Sequence, residues 1–118
     1  MVMWRRLWRA FLVIAVMAVA GNLGLREARA APPTYSIEIK DHRFIPDEIE
    51  IPAGTKVKLI IRNLDPTPEE FESYELNREK IIGGGKERVV FIGPLKPGVY
   101  GFFGDFNPDT AQGRIIVK

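Results

Sequence analysis

From Thr34 onward the chain repeats one device: a short run that alternates apolar and polar residues, closed by proline or glycine. Thr34 to Lys40 places Tyr35, Ile37 and Ile39 on one side, and Ser36, Glu38 and Lys40 on the other. Glu48-Ile49-Glu50-Ile51 alternates again, and Pro52-Ala53-Gly54-Thr55 reads as a turn. Lys56 to Asn63, with Val57, Leu59 and Ile61 on its apolar side, is the strongest strand pattern in the chain. Lys86 to Ile92, the aromatic run Val99 to Phe103 and Arg114 to Lys118 complete the series. Side chains alternate across a strand, so each run offers one face to a core and one to water. Glu69 to Lys80 is dense in acids and loses the two-residue rhythm, and is expected to be irregular or to hold one helical turn. A strand is expected to resume over Glu79 to Ile82. No long helical spacing occurs beyond residue 30. Roughly seven short strands with proline and glycine turns predict an all-β sandwich of Greek-key type.

The first thirty residues follow another plan. Arg5, Arg6 and Arg9 precede the apolar run Ala10 to Ala20, and Ala28-Arg29-Ala30 supplies a small-x-small cleavage site. That is the order of a secretory signal peptide, with a retained anchor as the rival reading. The apolar run falls short of the ~20 residues of a spanning helix. The expected organisation is a signal peptide over 1–30 and one domain over 31–118, placed in the periplasm or otherwise exported. The leader holds five of the 17 basic residues and one of the 15 acidic ones, which leaves 12 against 14 and a net charge of −2. The basic isoelectric point thus belongs to the leader, and no basic patch points to nucleic acid. With no cysteine anywhere, an exported domain of this size has no disulfide to lean on.

Enzyme chemistry finds few residues to use. His42 is the only histidine, and beyond residue 30 the only serines are Ser36 and Ser73, so a nucleophilic triad cannot be assembled. Gly83-Gly84-Gly85 lacks the following Lys-Ser/Thr of a phosphate loop. The reading is a non-enzyme.

Four motifs in order carry a resemblance: Phe44-Ile45-Pro46 running through Ile49, Ile51 and Ala53-Gly54-Thr55; Val57 to Asn63 followed by Asp65; Leu95-Lys96-Pro97-Gly98-Val99-Tyr100; and Gly113-Arg114-Ile115-Ile116-Val117. Together they resemble the cupredoxin family over nearly all of 34–118. Glu69-Glu70-Phe71-Glu72-Ser73 and Glu75 to Lys80 are most similar to the EfeO-type cupredoxin-like domains. The resemblance implies an exported protein of iron or copper handling. Its expected partners are a membrane iron permease or another periplasmic metal-handling protein. Tyr100 is expected to act as a tyrosine corner, its hydroxyl bonding back to the main chain.

A type 1 copper centre takes two imidazoles, a thiolate and a weak axial thioether. Aligned on the family pattern, the thiolate position falls at Gly104 and the following histidine at Asn107. The thioether falls near Thr110 or Ala111, and the earlier histidine at Glu69 or Glu70. No type 1 copper is therefore expected. What remains around that end is oxygen: Glu70, Glu72, Asp105 and Asp109 as candidate metal ligands, with Asn107 as a neutral carbonyl donor and His42 as a weaker lone nitrogen ligand. Carboxylates suit harder ions such as iron, while Cu(II) accepts oxygen beside imidazole. The expected function is an exported accessory protein binding iron or copper through carboxylates. The alternative is a metal-free interaction module that docks on a permease or redox partner through Phe103 and Phe106.

Overall fold

The computed structural model describes residues 30–118. The leader reading therefore lies, but for Ala30, outside the described residues. Nine strands follow in order: β1 Thr34–Lys40, β2 Arg43–Ile45, β3 Glu48–Ile51, β4 Val57–Asn63, β5 Glu69–Ser73, β6 Arg78–Ile82, β7 Glu87–Ile92, β8 Gly98–Gly104 and β9 Gln112–Val117. They form two sheets, β2-β1-β4-β7 and β3-β9-β8-β5-β6, which make a cupredoxin-like sandwich. The pairs β1/β4 and β3/β9 are parallel and the others antiparallel. Among the described residues no helix is long and apolar enough to cross a membrane.

The alternation seen in sequence is the packing. In β4, Val57, Leu59 and Ile61 are fully buried, and β1 adds Ile37 and Ile39. From the second sheet come Phe71, Ile82, Phe102 and Ile115. Phe102 turns inward and Phe103 outward, as strand geometry requires. At one end of the sandwich Phe44, Phe71 and Phe102 form an aromatic cluster, with ring centroids 5.0–6.1 Å apart. The Tyr100 hydroxyl donates to the Lys96 carbonyl at 2.8 Å, which bears out the corner expected of it.

The stretch expected to be irregular is instead β5, a turn over Tyr74–Asn77, and the start of β6. The reason lies in its side chains. Glu69, Phe71 and Ser73 are all buried, and Glu70 and Glu72 share the opposite face. An acid on the inward side hides the two-residue rhythm.

The end of the sandwich near Phe44 is braced by polar bonds. Asp41 and His42 form a two-residue turn between β1 and β2, both left-handed at φ 53° and 58°. Asp65 accepts their amides at 2.8 and 3.0 Å. Buried Asn63 donates to the carbonyls of Thr67 and Ile82 and accepts the Asp65 amide, so its polar atoms are satisfied.

Candidate functional site

Two groups of acids lie on β5, one facing each way. The inward group is Glu69, 1% exposed. Its Oε1 accepts the amides of Glu70 at 3.0 Å and Phe106 at 2.9 Å. Its Oε2 accepts Asn107 Nδ2 at 2.7 Å. Gly104 lies beside this carboxylate: a Cβ there would meet Glu69 Cδ at 2.6 Å and the Ala111 methyl at 2.6 Å. The β8–β9 loop is closed by backbone bonds from Gly104 N to Ala111 O, and from Ala111 N and Thr110 N to Asn107 O. Glu69, Gly104 and Asn107 are thus brought together where the family pattern puts metal ligands. Of the two residues left open for the earlier histidine position, Glu69 is the one that faces the loop.

The residues present do not fit a type 1 copper ion. The set offers no imidazole and no thiolate. The one carboxylate is spent on three N–H donors, and its carbon stands against the face of Gly104 where a side chain would go.

The outward group is built by strand pairing. Glu70 and Glu72 are two apart on β5, and the register sets Glu72 opposite Glu79 of β6. One ligand oxygen from each of Glu70, Glu72 and Glu79 lies within 4.8 Å of the others. Glu79 was not singled out in the sequence, because only the register of β6 brings it there. Glu70 is 8% exposed, yet among the described residues no amide or basic side chain hydrogen-bonds its carboxylate. A carboxyl hydrogen bond with Glu72 raises its pKa above the ordinary 4.5. Burial and the charges of Glu72, Asp105 and Glu69 push the same way. Among the described residues the salt bridges are Arg114–Glu48 and Lys118–Glu50, so neither cation serves this group.

The other candidates occupy different places. Asp105 donates its amide to the Glu70 carbonyl at 2.9 Å and adds negative charge there, but stands outside the three-carboxylate group. Asp109 is exposed in the loop and also outside it. His42 lies closer to the loop than its place in sequence suggests. Its carbonyl accepts Thr110 Oγ1 at 2.6 Å, and its Nε2 is 3.4 Å from Thr67 Oγ1. It does not join the carboxylates. Of the loop aromatics, Phe106 is 45% exposed, and Phe103 packs against Tyr74 with ring centroids 5.4 Å apart and the ring planes tilted by 58°. Beside that pair runs a cleft of about 330 Å³ bounded by Glu75, Gly101, Pro108 and Gln112.

A two-sheet sandwich of this topology, with an aromatic strand leading into a loop that closes on β5, defines the cupredoxin class. The sequence profile of the Cupredoxin-like domain family matches residues 10–117, and the chain belongs to that family. It is 56% identical over 82 residues to an uncharacterized protein of Rickettsia prowazekii (strain Madrid E), a match covering 70% of this chain and 66% of that relative's length. Among solved structures, it is similar to the metal-binding domain of the Cu(I)-exporting P-type ATPase CopA of Streptococcus pneumoniae D39. There the TM-score is 0.65 at 18% identity, over 72% of this chain and 84% of that one. It is also similar to auracyanin A, a blue copper protein of Chloroflexus aurantiacus, with TM-score 0.64 at 13% identity, over 75% of this chain and all of that one. These structural likenesses concern the fold.

Proposed function

We propose that the chain is an exported, EfeO-type accessory protein that holds a metal cation, iron or copper, at Glu70, Glu72 and Glu79. The observation that carries this reading is the cluster itself: one carboxylate oxygen from each of Glu70, Glu72 and Glu79 lies within 4.8 Å of the others, and among the described residues no amide or basic side chain hydrogen-bonds the Glu70 carboxylate. Holding like charges this close costs free energy unless something neutralises them. A divalent cation does so with the oxygen donors such ions prefer. Asp105 strengthens the field at Glu70 without closing the ligand set. The metal in this reading is cargo rather than a redox centre, passed to or from a membrane iron permease or another periplasmic metal-handling protein.

The test is titration calorimetry of the full chain with Fe(II), Mn(II) and Cu(II), paired with thermal melts. Binding to the native state must raise Tm by mass action. Glu70→Gln is expected to abolish both heat and shift. No heat and no shift with any of the three ions would refute the reading.

One observation favours a second reading, a metal-free docking module. Tyr74 is 78% exposed beside Phe103, and Phe106 is 45% exposed on the neighbouring loop. That reading expects binding to a permease to survive chelation and to be lost in Tyr74→Ser with Phe106→Ser.

A further inference from the structure

We infer that Glu69 is a permanent stand-in for a metal ion: its carboxylate ties β5 to the β8–β9 loop and closes that end of the fold to cations. Four observations meet here. Glu69 is 1% exposed, with its carboxylate against the loop rather than in solvent. It gathers N–H donors from β5 itself, from the Phe106 main chain and from the Asn107 side chain, so one group bonds both segments as a central ion would. Gly104 leaves the room the carboxylate needs, since any Cβ there would overlap it. Ala111, fully buried, crowds the same face of Gly104 at 2.6 Å from where a Cβ would stand.

The arrangement also excludes a metal. A cation entering would compete with the Glu70, Phe106 and Asn107 N–H groups for the Glu69 oxygens, and any donor it displaced would lose its partner. Each orphaned donor is costly. Alternation along β5 then divides the labour. The odd-numbered acid builds the lock, and the even-numbered acids Glu70 and Glu72 stay on the other face. The lock does not depend on the outer group binding anything.

The lock can be tested by reversing its donor and acceptor. Asn107→Asp sets two carboxylates against each other and is expected to lower the Tm of the full chain, at pH 8, by roughly 5–15 °C. Adding Glu69→Gln to Asn107→Asp restores a donor–acceptor pair of the opposite sense and is expected to recover at least half of that loss. Glu69→Gln alone is expected to leave Mn(II) affinity as in the wild type, whereas Glu70→Gln removes it. The inference is overturned if the double variant is no more stable than Asn107→Asp. It is equally overturned if Glu69→Gln loses Mn(II) as completely as Glu70→Gln does. A wild type that takes up no metal refutes the cargo reading under Proposed function, and the melts then decide the lock by themselves.

Discussion

A single absent methyl group sets the chemistry of the loop end. At Gly104 a Cβ would stand 2.6 Å from both Glu69 Cδ and the Ala111 Cβ, closer than packed carbon atoms approach. Neither neighbour is a free-ended chain: Ala111 is part of the loop, and Glu69 is held by three hydrogen bonds. Gly104→Ala is therefore expected to destabilise the fold by about 1–3 kcal/mol, as overpacking does. Urea melts would read this as a lower midpoint at unchanged slope. An unchanged midpoint would mean that the carboxylate moves aside freely, contrary to the bonding described. The sequence exposes Gly104 and Asn107 as residues that supply neither the thiolate nor the imidazole of a type 1 copper site. It does not expose what replaces the ion, because Glu69 and Glu70 are chemically identical and only strand register decides which one faces inward. The same limit hides the setting of His42, whose contacts with Thr67 and Thr110 cross 25 and 68 positions of the chain.

At the scale of elements, strands with an apolar inner face are legible and β5 is not. In β4 the inward positions are Val57, Leu59 and Ile61, so composition and burial agree. In β5 the inward positions are Glu69, Phe71 and Ser73, each with its own partners, and polarity no longer reports direction. Pairing β5 with β6 then creates a conflict that a stability-driven sequence would avoid: Glu72 stands directly opposite Glu79. Like charges across a strand pair are destabilising, by about 0.2–1 kcal/mol relative to neutral pairs. Glu79→Lys replaces that repulsion with attraction. It is expected to raise the Tm of the metal-free chain by a few degrees while removing Mn(II) or Fe(II) binding. Such an exchange of stability against binding is the signature of a site kept for use. A Glu79→Lys chain that binds metal as before would show that β6 supplies no ligand.

For the whole molecule, two perturbed carboxylates pull the pH dependence in opposite directions. Burial alone would raise the pKa of Asp65, but the His42 and Asp41 amides, with the charges of His42 and Lys40, outweigh it and hold it below the ordinary 3.8. A depressed folded pKa gives stability that is fully present above the unfolded value and is lost as pH falls through the folded one. Asp65 thus weakens the fold only in strong acid, where the Asp41–His42 turn loses its carboxylate acceptor. Glu70 runs the other way. Its pKa lies above the ordinary 4.5, first through the hydrogen bond to Glu72 and then through burial and neighbouring charge. The folded chain therefore holds a proton that the unfolded chain releases, and stability is lost as pH rises through the folded pKa of Glu70. Between these two limbs the metal-free protein is expected to be most stable in mild acid and to melt lower at neutral pH. Adding Mn(II) should lift the neutral side most, because a cation competes with the proton for the same oxygens. Glu70→Gln removes a charge that is costly at neutral pH, so it should flatten the neutral limb and leave the acid limb in place. Asp65→Asn should do the reverse, lowering Tm at pH 7 and levelling the acid side. Melts of the three chains from pH 3 to 8, with and without Mn(II), separate these outcomes. A neutral limb that persists in Glu70→Gln would show that the conflict lies elsewhere in the fold.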